Sequence, residues 1–199
     1  MNFLAHAFLS MNREHLVLGN FLADFLRGKE IGAMDPSIQK GIQLHRFIDE
    51  FTDHHPTVEE LIQHFRDPFK KYSGVVVDVW FDFFLAHYWQ EWTSQEFESF
   101  KLNFYHLIKT NNHLLNERAK GFTHYMLTTD AFESYRSQEG ISRVLSQMSK
   151  RTKFNSQMEL GGLELEKNYD KIRLSFNAFF PELIKACDQF IKDEVDDAA

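Results

Sequence analysis

The 199-residue sequence predicts a single all-α domain over residues 1–199, and three observations support this prediction. Apolar residues recur three and four positions apart along most of the chain, which is the spacing of one helix face. Helix-start signals accompany this spacing, as where Asp35 precedes Pro36, an N-cap before a proline at the first helical position. No repeat, low-complexity tract or linker divides the chain, so one packed domain is the simplest architecture.

Five helices are predicted in the N-terminal half, over residues 3–8, 15–28, 36–54, 57–65 and 75–89. Gly28 follows an apolar-periodic run, so we expect it to be the C′ residue that ends the second helix. The last of the five opens with three valines, Val75 to Val77, which favour a strand. The apolar run that they open is too long for a strand and holds no turn residue before Thr93, so we predict a helix.

Thr93 and Glu96 have the T-x-x-E spacing of a capping box, which predicts a helix over residues 94–110. Further helices are predicted over residues 112–128, 130–138 and 141–159. The glycine pair at 161–162 is expected to break the chain before a final amphipathic segment, which Pro181 interrupts.

Composition excludes several classes of protein. Hydrophobic residues make up 43% of the chain and include 21 phenylalanines, so a packed globular protein is expected rather than a disordered one. Cys187 is the only cysteine, which excludes an internal disulfide and favours a reducing compartment. The N-terminal segment lacks the features of a signal peptide, and no stretch reaches the ~18 uninterrupted apolar residues of a membrane helix. We therefore expect a cytoplasmic protein with no membrane partner.

The net charge of −7 argues against a nucleic-acid partner, because phosphate binding needs clustered positive charge. Residues 143–153, called here the basic run, are an exception, since they contain no acid and four basic residues: Arg143, Lys150, Arg151 and Lys153. A solvated helix face explains such a run, and so does a docking surface for an acidic partner.

Two carboxylates interrupt the most apolar segment of the chain, VVVDVWFDFFLAHYW. Asp78 and Asp82 lie four residues apart, so both face the same side of the predicted helix. Burial of an ionised carboxylate is costly, and two carboxylates side by side also repel each other. No arginine or lysine lies between Lys71 and Lys101, so a metal ion is the candidate that compensates these charges.

Other polar residues in apolar helices share this four-residue spacing. Asn20 and Asp24 form one pair, and His45 and Asp49 form another, with Asp53 one turn further on. Pairs of this kind build metal sites in helical bundles. A set of imidazole, carboxylate and amide ligands without cysteine favours Mn²⁺, Fe²⁺ or Mg²⁺ over a structural zinc ion.

Structural explanations exist for several of these residues. His6 lies among apolar neighbours on the first predicted helix, so it is either a core histidine whose ring nitrogens are hydrogen-bonded within the protein or a metal ligand. Asn20 is explained as well by packing or helix capping, and Asp53 by a cap on the following turn. Asp78 and Asp82 are the hardest to explain without a functional site.

Four segments resemble, in order and spacing, the bacterial acyl carrier protein phosphodiesterases: MNFLAHAFLS, LVLGNFLADFLRG, GIQLHRFIDEFTDHHP and VVVDVWFDFFLAHYW. That family is an outlying branch of the HD phosphohydrolases, so the resemblance implies a helical bundle of the HD type and a metal-dependent hydrolase. The implied reaction converts holo-acyl carrier protein to the apo-protein and 4′-phosphopantetheine. The specific motifs lie within residues 1–89, and the remainder matches mainly in length and helical character.

The resemblance also implies which residues form the site. The expected ligands of a divalent metal, Mn²⁺ first and Fe²⁺ or Mg²⁺ as alternatives, are His6, Asp24, His45, Asp49 and Asp78. The expected catalytic set is Asp24, His45, Asp49, Asp78 and Asp82. No adjacent His-Asp dipeptide of the usual HD type is present, and the nearest analogues are Ala23-Asp24 and His45-Arg46.

In the implied mechanism the metal activates water for attack on phosphorus, and a second group protonates the serine leaving group. The candidates for this general acid are Asp82, Asp53, His6 and His87. Expected contacts to phosphate or to the carrier protein are Arg27, Arg46, Lys150, Arg151 and Lys153. Two alternatives stay open: an HD-type hydrolase of a nucleotide or other small phosphoester, and a non-catalytic helical interaction protein.

Overall fold

The most deeply buried helix, α7 (Ser73–His87), contacts helices from both halves of the chain. The structure is a computed structural model, and it describes residues 1–196. The apolar side chains of α7 between Val76 and Ala86 are almost completely inaccessible to solvent. The helix predicted over residues 75–89 is therefore confirmed, and the strand alternative is excluded.

Fourteen α-helices make up most of residues 1–196, and no strand occurs among these residues. In addition to α7 they are α1 (Phe3–Leu9), α2 (Glu14–Leu22), α3 (Lys29–Gly32), α4 (Pro36–Asp53), α5 (Pro56–His64), α6 (Arg66–Phe69), α8 (Trp89–Trp92), α9 (Phe97–Thr110), α10 (Glu117–Thr129), α11 (Ala131–Ser134), α12 (Gln138–Arg151), α13 (Gly161–Lys167) and α14 (Tyr169–Asp196). The predicted class, a single all-α domain, is confirmed. None of the described helices is both long enough and apolar enough to cross a bilayer.

Helices α2 and α4 make the most extensive contact between two helices, because glycines face each other where they cross. A Cβ on Gly19 would lie 2.0 Å from the carbonyl oxygen of Ile38, and a Cβ on Gly41 would lie 2.6 Å from that of Leu16. No side chain tolerates such distances to backbone atoms, so only glycine permits this approach. The approach brings the polar residues that follow each glycine to one side of the fold.

The remaining helices surround α7 and this pair. Helix α1 packs on both α2 and α7, while α14 packs along α4, α5 and α7. Aromatic rings fill the space between them, as where Phe81 stacks on Phe179 with ring centroids 5.5 Å apart. The start of α1 is thereby held against Asp78 and Asp82 of α7.

Several predicted helix ends are wrong. Helix α2 ends at Leu22 rather than at Gly28, although Phe25 and Leu26 beyond it are still buried, which explains why the apolar pattern runs on. Gly28 does have the expected positive φ, of 47°, but it precedes α3. Thr93 does not form the predicted capping box, because its hydroxyl accepts from the amide of Gln95 and α9 begins only at Phe97.

Side-chain caps set the later boundaries. Asn116 accepts from the amide of Ala119 and starts α10 five residues later than predicted. Ser137 accepts from the amide of Gly140, so α11 ends early and α12 begins early. The glycine pair at 161–162 starts α13 instead of breaking the chain, and a Cβ on Gly162 would lie 1.8 Å from Oγ of Ser142. Pro181 lies inside α14 and does not interrupt it.

Candidate metal centre

His6 of α1 and His45 of α4 meet at one carboxylate. Nε2 of His6 lies 3.2 Å from Oδ1 of Asp49, and Nε2 of His45 lies 3.2 Å from Oδ2 of the same residue. The two imidazole rings stack with centroids 4.3 Å apart. One ligand atom from each of the three residues lies within 4.8 Å of the others, which is compatible with a single bound metal ion. Both histidines are buried, whereas Asp49 is partly exposed.

Asn20 of α2 contacts both histidines and fixes the proton on Nδ1 of each ring. Its Nδ2 donates to the carbonyl oxygen of His6, at 3.0 Å, and to Oγ of Ser10, at 3.2 Å. Its Oδ1 must therefore be the atom that faces Nδ1 of His6, at 2.8 Å, and Nδ1 of His45, at 3.0 Å. An amide oxygen only accepts, so both Nδ1 atoms carry protons. In the neutral imidazole this leaves the lone pair on each Nε2, directed at Asp49.

This arrangement fits a cation between the three side chains. Burial lowers the pKa of His6 and outweighs the contact with Asp49, while the stacked His45 lowers it further. When both imidazoles are neutral, their two Nε2 lone pairs and the Asp49 carboxylate, 3.2 Å from each, are an arrangement of acceptors only. A divalent ion satisfies all three acceptors at once, as in carboxylate and histidine sites of helical bundles.

Two further predicted ligands line the cleft in front of this cluster. Oδ1 of Asp24 lies 3.7 Å from Nε2 of His45. Oδ1 of Asp78 accepts from the amine of Met1 at 2.8 Å, so this carboxylate already has a cationic partner. The cleft, of about 360 Å³, also includes Asp53. Partial burial and the charge of Asp78 raise the pKa of Asp53.

Asp82 has a different environment from the one that the sequence predicts. It is completely buried and does not line the cleft. Its Oδ2 accepts from the amide of Leu4 at 2.9 Å, and its Oδ1 accepts from those of Asn2 and Ala5 at 3.3 Å each. Desolvation nevertheless raises its pKa to about 7. Asp82 therefore anchors the start of α1, and three backbone amides offset part of the cost of burying this carboxylate.

The predicted binding residues lie on the surface and outside the cluster. Arg27, Arg46, Lys150 and Lys153 are exposed, and the exposed guanidinium of Arg151 lies 4.9 Å from the ring centroid of Tyr125. His87, a predicted candidate for the general acid, has its Nδ1 3.1 Å from the carbonyl oxygen of Arg136 and does not line the cleft. The role of Asn20 was not predicted, although its spacing to Asp24 placed it among the polar residues of interest.

The fold and the site together define an all-helical protein with a histidine and aspartate cluster in an acidic cleft. Its sequence matches the family model described as acyl carrier protein phosphodiesterase over residues 1–183. The chain belongs to that family, and the resemblance inferred from its motifs is confirmed.

Individual relatives show the same similarity along nearly their whole length. The acyl carrier protein phosphodiesterase of Serratia proteamaculans (strain 568) is 30% identical over 186 residues, which are 93% of this chain and 96% of the relative. The protein of the same name from Pectobacterium atrosepticum is also 30% identical with the same coverage. That of Escherichia coli O6:H1 is 29% identical over 189 residues. No solved structure matches the chain, so the relation to the HD fold stays a prediction.

Proposed function

We propose that this protein is a metal-dependent phosphodiesterase that hydrolyses holo-acyl carrier protein to apo-acyl carrier protein and 4′-phosphopantetheine. One observation carries this proposal: in a member of the acyl carrier protein phosphodiesterase family, His6 and His45 direct their Nε2 atoms at Asp49 on the wall of an open cleft. Such a cluster is what a phosphodiesterase needs to hold a divalent ion beside its substrate.

His6, His45 and Asp49 are the residues that would hold the ion, and Asp24 and Asp78 lie close enough to the cleft to complete its environment. Mn²⁺ is the first candidate and Fe²⁺ or Mg²⁺ are alternatives, because the donors are oxygen and imidazole nitrogen without thiolate. When bound, such an ion lowers the pKa of water and draws negative charge from a phosphoryl oxygen.

Asp53 is the best placed general acid for the serine that leaves. Of the four candidates, Asp82 is enclosed, His87 lies outside the cleft, and His6 belongs to the cluster. Asp53 lines the cleft, and its raised pKa favours the protonated form that a general acid requires. We therefore assign it the transfer of a proton to the serine oxygen as the bond to phosphorus breaks.

The carrier protein is the proposed partner, and the basic run is its proposed docking surface together with Arg27 and Arg46. These side chains are exposed on a chain whose net charge is −7. An acidic carrier protein approaching such a chain is repelled by most of its surface, so a local cluster of positive charge determines where it docks.

The test is conversion of holo- to apo-carrier protein, followed by mass spectrometry, alongside metal analysis of the purified protein. We expect Asp49→Asn to lose the bound ion and at least about a thousandfold in rate. Asp170→Asn, at an exposed carboxylate of α14, is the matched control and should retain both. Full turnover by the wild-type protein after removal of its metal would contradict the proposal, as would phosphate release from nucleotides without release of 4′-phosphopantetheine.

A further inference from the structure

A second cavity, of about 120 Å³, lies beside the candidate metal cleft. Asn2 and Phe3, at the start of α1, line both the cavity and the cleft. Its other walls come from α10, α11 and α12. A molecule with a phosphate in the cleft would therefore meet this cavity as soon as it extends past these two residues.

The walls of the cavity are mainly apolar. Phe3 packs against Phe122 with ring centroids 4.5 Å apart, and Met126, Val144 and Met148 complete the apolar lining. Apolar walls with a small number of fixed polar groups are typical of sites for small organic ligands. The cavity is small, at about 120 Å³, so it accommodates a segment of a flexible chain rather than a large rigid ligand.

Tyr135 supplies a polar group at the wall of this cavity. Its side chain is only 5% exposed and lines the cavity. Burial raises the pKa of Tyr135 well above its ordinary value, so this phenol stays protonated and able to donate. A hydrogen-bond donor on a mainly apolar wall is the kind of group that orients a small organic ligand carrying an acceptor.

Resting on the function proposed above, we infer that this cavity receives part of the pantetheine arm of the holo-carrier protein, an aliphatic chain with two amide groups. Its methyl and methylene groups contact Phe3 and Phe122, and an amide carbonyl accepts the hydrogen bond from Tyr135. Arg151, which belongs to the basic run, lines the same cavity. A carrier protein docked on that run would thus present its arm at the cavity.

Two substitutions test this assignment in the full-length, metal-loaded protein. Tyr135→Phe removes only the hydroxyl, and we expect the KM for holo-carrier protein to rise about three- to tenfold with little change in kcat. Because the substitution keeps the aromatic ring and its packing, the melting temperature should change little. Val144→Phe fills the cavity and should raise the KM by at least about tenfold. Val17→Phe makes the same change at the wall of a separate 540 Å³ cavity between α2 and α9 and should leave the KM unaltered.

The outcomes separate this inference from the proposed function. Conversion of holo-carrier protein with an unchanged KM in both Tyr135→Phe and Val144→Phe would overturn the arm site and leave the proposed function intact. If the wild-type protein converts no holo-carrier protein, the proposed function fails, and ligand-observed NMR with free pantetheine tests the cavity by itself. Weaker binding of pantetheine by Val144→Phe, with unchanged binding by Val17→Phe, would support the cavity as a pantetheine site. Equal binding by the wild-type protein and both variants would refute it. Tyr135→Phe keeps the test available if Val144→Phe does not fold.

Discussion

A single amide oxygen, that of Asn20, orients two imidazole rings by accepting a hydrogen bond from Nδ1 of each. It can do so because its own nitrogen is occupied by the carbonyl oxygen of His6 and the hydroxyl of Ser10, which prevents the amide from turning over. Groups that orient metal-binding histidines through their second nitrogen commonly affect metal affinity almost as much as the ligands do. Asn20 is thus a positioning residue.

Asn20→Leu is expected to weaken binding of Mn²⁺ by about 10- to 100-fold, because it removes the acceptor and keeps the size of the side chain. The dissociation constant is measured by competition with a chelating dye. Asn20→Asp retains an acceptor at the same position and should lose less. Equal affinities of Asn20→Leu and the wild-type protein would show that packing alone orients the two imidazoles.

Asp82 has a pH dependence whose sign follows from its burial. Its folded-state pKa of about 7 lies above the value of ~3.9 expected in the unfolded chain. The folded state therefore binds the proton more tightly, and the contribution of Asp82 to stability is fully present below about pH 4 and is lost as pH rises towards 7. The slope is at most about 1.4 kcal/mol per pH unit.

Asp82→Asn removes this component, so the stability of the variant relative to the wild-type protein should increase between pH 4 and 7 and then stay constant. Urea unfolding of both proteins at each pH, after chelation of metal, measures the difference in their free energies of unfolding. The contributions of all other groups cancel in this difference. A difference that decreases with pH would mean that the three backbone amides stabilise the carboxylate more than burial destabilises it.

Among the elements, the crossing of α2 and α4 has the greatest consequence for the site. Asn20 directly follows Gly19, and His45 lies one turn after Gly41, so the distance between the two backbones sets the distance from amide to imidazole. The close approach is therefore a condition for the cluster as well as for packing.

Gly19→Ala and Gly41→Ala should each destabilise the protein by about 1–3 kcal/mol, since the added methyl group would press on backbone atoms that cannot rotate away. Both should also weaken metal binding. Gly121→Ala, in α10, is the matched control: apart from the backbone of its own helix and its chain neighbours, no atom lies within 4 Å of its Cβ position, so alanine should stabilise by ~0.5–1 kcal/mol. Thermal unfolding with and without Mn²⁺ measures both effects. Tolerance of Ala at Gly19 would show that the helices can separate without loss of structure.

The sequence predicted helices better than their ends. The run through Val77, Trp80 and Phe84 is long and apolar all round, so only a buried helix fits it. Helix ends depend on which of several possible capping hydrogen bonds forms. The T-x-x-E spacing at Thr93 is present, but the Thr93 hydroxyl accepts from the amide of Gln95 in the adjacent turn instead of capping α9. Apolar periodicity also continues through buried turns, as at Phe25, so it cannot locate where a helix stops.

The site was predictable only where its residues lie on the same helix. The four-residue spacing of His45 and Asp49 placed both on one face, and the structure shows that their side chains meet. The distant contact with His6 depends on how α1 packs, which spacing within a helix does not encode. The contacts of Asp82 could not be predicted from its neighbours in the sequence. The backbone amides that donate to it belong to α1, and no residue pattern near Asp82 indicates this contact.

At the scale of the whole molecule, the distribution of charge determines how the protein would meet an acidic partner. The chain is acidic overall, and the candidate cleft is lined by four aspartates: Asp24, Asp49, Asp53 and Asp78. Long-range attraction to another acidic protein must therefore come from surface lysines and arginines away from these carboxylates. The basic run has such side chains, exposed at Lys150, Arg151 and Lys153.

Reversal of these three residues to glutamate should lower kcat/KM for holo-carrier protein at least about tenfold at low ionic strength, because steered association depends on the local field. Reversal of Lys109, Lys171 and Lys185, exposed residues of α9 and α14, makes the same charge change outside the basic run and is the matched control. The difference between the two triple variants should disappear near 1 M salt, where the screening length falls to ~3 Å. If both variants lose the same rate at low salt, net charge rather than the basic run governs the encounter. A difference that persists at high salt would instead indicate direct contacts in the bound complex.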